Sequence, residues 1–154
     1  MHEMRALIGH QDTIEAVTAM WATSYPAKAI GQGFAIFPLV ELPECLAEWV
    51  WPDIEDSAVA AQVSTAFKDL LDQVASAVIT GSLAVVITQY WAGEGTQFAA
   101  VVRDGCVVLG PVLGEGSINR SLEAIGVVPR DGDAFDTLML GSWRSMDDLV
   151  EECV

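Results

Sequence analysis

The hydrophobic and polar positions of this chain alternate between the spacing typical of helices and the spacing typical of strands. Between residues 57 and 80, apolar side chains recur every three or four positions, which aligns them along one side of a helix. They are Val59, Val63, Phe67, Leu70, Val74 and Val78. The spacing predicts a long core helix here, and Gly81 suits a left-handed turn at its end.

Three β-rich segments follow this helix, at residues 83–91, 96–103 and 106–112. Asp104 and Gly105 separate the last two segments, and an Asp-Gly pair tolerates the positive φ angles of a type I′ hairpin turn. The three segments therefore predict a central three-stranded antiparallel meander.

Shorter elements are predicted towards both ends of the chain. Near the start we expect a strand at residues 4–10, a helix capped by Asp12 and ended by Pro26, a strand at 31–40, and a tryptophan-bearing helix or turn at 42–51. Near the end we expect a helix capped by Ser117 and closed by Gly126, a last strand at 135–140, and a terminal helix opened by a capping box of Ser145 and Asp148.

The order of these elements favours an α+β fold. Neighbouring strands are mostly joined by hairpins, and no linker or internal repeat divides the sequence, so we expect a single domain spanning residues 1–154. In it, a mainly antiparallel sheet with the meander at its centre packs against the long core helix and the shorter helices. Pro38 favours a sheet edge or a strand end for its segment.

The charge of the chain restricts its partners. Its 154 residues include 22 Asp and Glu but 7 Lys and Arg, a formal net charge of −15. Such a surface repels nucleic acid and anionic lipid and attracts a basic protein, so we expect neither a nucleic-acid nor a membrane partner. Three cysteines at unrelated spacings, with no signal peptide and no apolar run of about 20 residues, favour a cytoplasmic protein.

The acidic residues concentrate in two patches. The first, here called the Trp-acidic patch, comprises Trp49, Trp51, Asp53, Glu55 and Asp56 and lies in a stretch, residues 31–67, without Lys or Arg. The second, the C-terminal acidic patch, comprises Asp147, Asp148, Glu151 and Glu152. Either patch can be an ordinary solvated surface. Either can also be an interface, because carboxylates steer a basic partner and an exposed tryptophan anchors it.

Catalytic and metal-binding patterns are weak in this sequence. His2 is expected at a frayed terminus, which leaves His10 for acid–base work, and no Ser or Cys lies in a nucleophile motif. Asp131, Asp133 and Asp136 lack the ligand spacing of a calcium loop. The glycines at 31–33 and 93–95 are not followed by the helix of a phosphate-binding loop, and they predict turns that lead into strands. We therefore expect no catalytic residue, cofactor or metal.

The C-terminal half carries a further pattern, Gly-Glu-Gly-Thr-Gln at 93–97, Arg-Asp-Gly at 103–105, Leu-Gly-Pro at 109–111, Ile-Asn at 118–119, Gly-Val at 126–127, and Leu-Gly at 140–141 with Arg144. This pattern resembles small uncharacterised bacterial proteins associated with immunity to polymorphic or secreted toxins. The resemblance implies a small, acidic, cytosolic inhibitor that occludes the active site of a toxin. It assigns no functional residue.

Three functions therefore compete. The leading hypothesis is an immunity protein, a monomer when free, that binds a cognate toxin with a basic active site, such as a nuclease, through the two acidic patches. One alternative is a small hydrolase or transferase that uses His10 with Asp12, Glu15 or Glu94, which requires a deep pocket around His10. The other is an adaptor that dimerises through an edge strand at residues 34–40.

Overall fold

The computed structural model describes residues 2–23, 26–39, 60–91, 94–130 and 132–153. Their strands are β1 (His2–His10), β2 (Lys28–Gly31), β3 (Phe34–Pro38), β4 (Ser82–Trp91), β5 (Glu94–Arg103) and β6 (Cys106–Leu113). Their helices are α1 (Gln11–Met20), α2 (Ala60–Ala77), α3 (Ser117–Ala124), α4 (Ala134–Thr137) and α5 (Met146–Cys153), with one 3₁₀ turn at Leu140–Ser142. The α+β class and the antiparallel character of the sheet are confirmed.

The described strands form one six-stranded sheet in the order β2-β3-β1-β4-β5-β6. Each pair of neighbouring strands is antiparallel. Strands β1 and β4 lie at its centre. The three segments expected as a central meander instead occupy one half of the sheet, with β6 at the edge. Asp104 and Gly105 join β5 to β6 with φ angles of 49° and 82°, as a type I′ turn requires.

Helices cover both faces of the sheet. Helices α1 and α2 pack on one face, which presents Leu7 and Val85, whereas α3, α4 and α5 pack on the other, which presents Ile8 and Val86. Residues 83–87 of β4 are consequently all buried. This explains their unbroken run of apolar residues, because a strand with both faces covered has no solvent side on which to place polar groups.

The described residues of the segment expected as a strand at 31–40 contain the turn and the second strand of a hairpin. Strands β2 and β3 are joined by Gln32 and Gly33, whose φ angles of 52° and 80° again fit a type I′ turn. Strand β3 lies between β2 and β1, so it is an interior strand of the sheet. The expectation that the chain dimerises through an edge strand at 34–40 is therefore wrong for the described residues of that segment. Pro38 ends β3, in keeping with one of its two expected roles.

Three further expectations about the ends of elements are wrong. Helix α1 starts at Gln11 with His10 as its N-cap, not at Asp12. Helix α3 has Gly116 as its N-cap, and Ser117 is buried and makes no capping hydrogen bond. His2 is not frayed, because it belongs to β1 and its Nδ1 lies 2.7 Å from Thr88 Oγ1 of β4.

The last strand expected at 135–140 is absent, and the segment is helical instead. Asp133 caps α4 by accepting a hydrogen bond from the Asp136 amide at 2.9 Å, and the same residue accepts one from Asn119 Nδ2 at 3.0 Å. Met139 then adopts a left-handed conformation at φ 58° and leads into the 3₁₀ turn. A local carboxylate cap therefore overrides the apolar spacing of Phe135, Leu138 and Leu140.

Candidate functional site

Helix α5 places the C-terminal acidic patch on the surface. Met146, Leu149 and Cys153 recur at helical spacing and are buried, with Leu149 fully enclosed in the core beneath the sheet. The four acids of the patch, Asp147, Asp148, Glu151 and Glu152, fall between these positions and are exposed. The amphipathic pattern thus fixes which side of α5 faces solvent.

The start of α5 is tied to β1. The Glu3 amide donates to the Arg144 carbonyl at 3.0 Å, and the Arg5 amide lies 3.0 Å from the Met146 sulfur. These contacts hold the first turn of α5 against a central strand. The patch is therefore presented from a helix that is anchored by both its buried side chains and its N-terminal turn.

Asp148 has a structural duty at this turn. Its Oδ2 accepts hydrogen bonds from the backbone amides of Arg144 and Ser145, at 3.1 and 3.2 Å, and the Asp148 amide donates to Ser145 Oγ at 3.2 Å. This reciprocal arrangement is the capping box expected from the sequence, with Asp in the place of Glu. The carboxylate of Asp148 is thereby partly satisfied within the protein.

Glu152 also has a partner. Its carboxylate lies 2.7 Å from Lys28 Nζ, which joins α5 to the edge strand β2, and the hydrogen bond to Glu152 raises the pKa of Lys28. Nearby, burial raises the pKa of the Cys153 thiol. A cation from a binding partner would compete with Lys28 for Glu152.

Asp147 and Glu151 differ from the other two acids of the patch. Neither side chain makes a hydrogen bond or ion pair with any residue that the structure describes. Both are exposed on α5, one turn apart. A partner could therefore bind either carboxylate without breaking a hydrogen bond or ion pair among the described residues.

An open cleft of about 470 Å³ adjoins this helix and is lined by Ser142, Trp143, Asp148, Glu151 and Glu152. We call it the acidic cleft. Trp143 is 7% exposed and packs in the core cluster that also contains Leu149. Ser142 Oγ donates to the Met139 carbonyl at 2.7 Å, and the Met139 side chain is 69% exposed. The acidic cleft thus combines three carboxylates with a buried aromatic residue, and its lining residue Ser142 is hydrogen-bonded to the backbone of Met139.

The structure does not describe the other predicted patch. Trp49, Trp51, Asp53, Glu55 and Asp56 of the Trp-acidic patch fall outside the described residues, so the structure does not relate them to α5. The tryptophan-bearing segment expected at 42–51 lies outside them as well.

His10, the candidate catalytic histidine, is exposed at the N-cap of α1 and stacks on Phe34 with ring centroids 4.4 Å apart. It makes no hydrogen bond with Asp12 or Glu15, and Glu15 instead accepts from Gln11 at 2.9 Å. The enzyme hypothesis requires His10 in a deep pocket beside a carboxylate, and the described residues do not form that arrangement.

Sequence reasoning found the acids of α5 but missed Ser142, Trp143 and Lys28. Lys28 lies 124 positions from Glu152, and no local pattern connects them. Trp143 gave no local signal either, because the position directly before the capping box, where an apolar staple residue would lie, is Arg144.

The described residues contain neither a cluster of metal ligands nor a helix that could span a membrane. No three His, Cys, Asp or Glu residues in those ranges are grouped to hold a metal ion. No helix of the part that the structure describes has the length and apolar character to cross a bilayer. Comparison with known proteins found no family model, curated protein or solved structure that matches the chain.

Proposed function

We propose that this chain is an acidic inhibitor of the immunity-protein type, which binds a basic protein and blocks its active site. The observation that carries the proposal is the exposed face of α5, where Asp147 and Glu151 are uncommitted carboxylates beside the acidic cleft. A net charge of −15 reinforces the attraction of this face for a basic partner. The resemblance of the C-terminal half to toxin-immunity proteins supports the same function.

The proposed mechanism is occlusion. An enzyme that acts on nucleic acid presents cationic side chains where the phosphates bind. Carboxylates of an inhibitor can pair with those cationic side chains in place of the phosphates. Asp147 and Glu151 would accelerate encounter and fix the register of docking, while the exposed side chain of Met139, whose carbonyl accepts from the lining residue Ser142, would contribute apolar contact area. No chemistry by the inhibitor is required.

The experiment has two steps. The full chain is first used to capture its partner from the native host, with elution by salt, and the partner is identified by mass spectrometry. The catalytic domain of that partner is then expressed in bacteria with and without this protein. We expect the protein to restore growth and, in vitro, to abolish the activity of the partner at a stoichiometric ratio. A stoichiometric complex that leaves the activity intact would refute inhibition.

The role of α5 is tested by association kinetics. The double variant Asp147→Asn, Glu151→Gln should associate about three- to tenfold more slowly at low ionic strength, with the difference shrinking as salt is added. The matched control is Glu115→Gln, Glu123→Gln, which removes two exposed charges outside α5. Equal effects of the two double variants would mean that net charge, and not this surface, steers the partner.

The Trp-acidic patch remains a second proposed contact. Reversing Asp53, Glu55 and Asp56 to Lys should slow association and flatten its dependence on salt, because the three positions would then repel a basic partner. Unchanged kinetics in this triple variant would remove the patch from the interface and leave α5 as the binding surface.

A further inference from the structure

The ring of His2 is enclosed between the sheet and a short segment, residues 134–142, made of α4, the 3₁₀ turn and the two residues between them. On the sheet side, His2 Nδ1 lies 2.7 Å from Oγ1 of the buried Thr88. On the other side, Phe135 of α4 meets the ring edge to face, with centroids 5.6 Å apart and an interplanar angle of 68°. We call residues 134–142 the His2 cover.

The enclosed site suits a neutral imidazole better than an imidazolium. The Thr88 hydroxyl can donate to Nδ1 or accept from it, so either form of the neutral ring is served there. Nε2 is shielded from solvent and makes no hydrogen bond with a described residue. A protonated ring carries N–H at both nitrogens and would lose the hydration of its charge in this site. Burial accordingly lowers the pKa of His2, while the Leu140 carbonyl raises it in part and the positive terminal amino group lowers it again.

No described carboxylate pairs with the ring to offset that loss of hydration. Glu3 and Arg5 pair with each other at 3.1 Å, and strand alternation places them on the opposite face of β1 from His2. The other charged or titratable groups on the elements around the ring are Tyr90 of β4, Asp136 of α4 and Arg144 after the 3₁₀ turn. Protonation in the closed site therefore gains no ion pair.

The His2 cover is a small unit whose opening disrupts fewer contacts than unfolding of the domain. Its buried residues are Ala134, Leu138 and Leu140. Met139 is held in it at φ 58°, and opening would relieve that strained backbone conformation. Local openings of this kind cost less free energy than global unfolding. Opening would also hydrate the His2 ring, because Phe135 would leave it.

We propose that His2 is an acid-sensitive latch: its protonation between about pH 7.5 and about pH 5.5 shifts the His2 cover towards a form that is open to solvent while the rest of the domain stays folded. The latch goes beyond the proposed function and does not depend on it. Because Ser142 of the cover lines the acidic cleft, acid would change the surface beside α5.

The sign and size of the effect follow from proton linkage. The pKa of His2 is lowered in the closed form and returns to its usual 6.5 when the ring is hydrated, so the closed form is favoured above this pH and loses that advantage below it. Between about pH 7.5 and about pH 5.5 the opening equilibrium can rise by at most about tenfold, a limit set by the value 6.5. We expect a rise of about three- to tenfold.

The test is amide hydrogen exchange followed by ¹H–¹⁵N NMR on the full chain, with each rate divided by the intrinsic rate at the same pH. The reporters are four amides that donate within the cover or to its N-cap Asp133, namely those of Thr137, Leu138, Met139 and Ser142. Their protection should fall about three- to tenfold between the two pH values. The Trp21 amide, which donates to Val17 at the end of α1 on the other face of the sheet, should keep its protection within about twofold.

The core amides of Val86 and Ala99 report global unfolding, because both residues are fully buried in interior strands. The amides of the cover should be at least about tenfold less protected than these two at both pH values. Cover amides as strongly protected as Val86 would mean that the cover opens only with the whole domain, and the latch would be wrong.

The chain has two histidines, which provide a matched pair of variants. His2→Gln should abolish the pH dependence at the cover, whereas His10→Gln, which removes the exposed histidine beside Phe34, should keep it. An effect that persists in His2→Gln, or that disappears in His10→Gln, would overturn the proposal.

A titration keeps the proposal testable even where His2→Gln does not fold. In His10→Gln the remaining imidazole Cε1–H signal belongs to His2, and its midpoint should lie below pH 6.5. A midpoint at or above 6.5 would remove the latch, because the closed site would then not disfavour the charged ring.

Discussion

The capping box at the start of α5 gives the most direct test of how the C-terminal acidic patch is held in place. Ser145→Ala removes the acceptor for the Asp148 amide, and Asp148→Ala removes the carboxylate that accepts from the amides of Arg144 and Ser145. Because Leu149 is fully buried, α5 belongs to the core that unfolds cooperatively. Fraying of its first turn should therefore lower the free energy of unfolding of the whole domain.

The magnitude follows from the bonds that are lost. Ser145→Ala should cost about 1 kcal/mol, as is typical for loss of an N-terminal cap. Asp148→Ala should cost about 1–2 kcal/mol, because it leaves two amides unpaired and removes a negative charge from the first turn of the helix. The double variant should cost about 0.5 kcal/mol less than the sum, since both residues stabilise the same turn.

Urea denaturation followed by circular dichroism measures these differences, and for a chain of this length each kcal/mol also shifts the thermal midpoint by about 2–4 °C. Asp147→Ala is the matched control, because Asp147 lies in the same turn and makes no hydrogen bond there. It should lose only the interaction with the helix dipole, about 0.3–1 kcal/mol. Equal losses for Asp147→Ala and Asp148→Ala would show that the capping bonds contribute nothing measurable.

Three other predictions concern the core, a strained turn and the pH dependence. Leu149→Ala should destabilise the domain by about 3 kcal/mol in urea, because it opens a cavity where α5 meets the sheet. Gly81→Ala should cost about 1–2 kcal/mol, since φ is 95° and the new Cβ would lie 2.6 Å from Thr13 Oγ1; adding Thr13→Ala should relieve the contact but not the backbone strain. Burial lowers the pKa of His2 below its usual 6.5, so the unfolded chain binds more protons as the pH falls through that value. The stability that His2 contributes is present above this pH and lost below it, and the fall in urea midpoint from about pH 7.5 to about pH 5.5 should be smaller in His2→Gln.

The sequence predicted those elements whose chemistry is local. Asp104-Gly105 specifies its turn because both residues tolerate positive φ, and Ser145 with Asp148 specifies a helix start. The glycines at 31–33 likewise predict a turn that leads into a strand, and Gln32 and Gly33 form one. The short strand β2 before that turn was not predicted.

Tertiary context decided the rest of the fold. The apolar spacing of residues 135–140 predicts a strand, yet Asp133 caps a helical turn there and also binds Asn119 of α3. No window of a few residues reveals that second contact. The burial of residues 83–87 on both faces likewise depends on which helices cover which side of the sheet, and that arrangement is set by the topology of the whole chain.

The acids of α5 show why a charge pattern identifies a surface more readily than a site. Four carboxylates are equivalent in the sequence, but the structure divides them into Asp148, which stabilises the helix start, Glu152, which pairs with Lys28, and two acids without partners. It follows that substitutions at different acids of this helix should affect either the stability of the domain or its binding to a partner. Asp148→Ala should lower the free energy of unfolding, whereas Glu151→Gln should leave it within about 0.5 kcal/mol of the wild type and weaken association instead. If Glu151→Gln destabilised the domain as much as Asp148→Ala, then Glu151 would have a structural partner, and its assignment as an available carboxylate would be refuted.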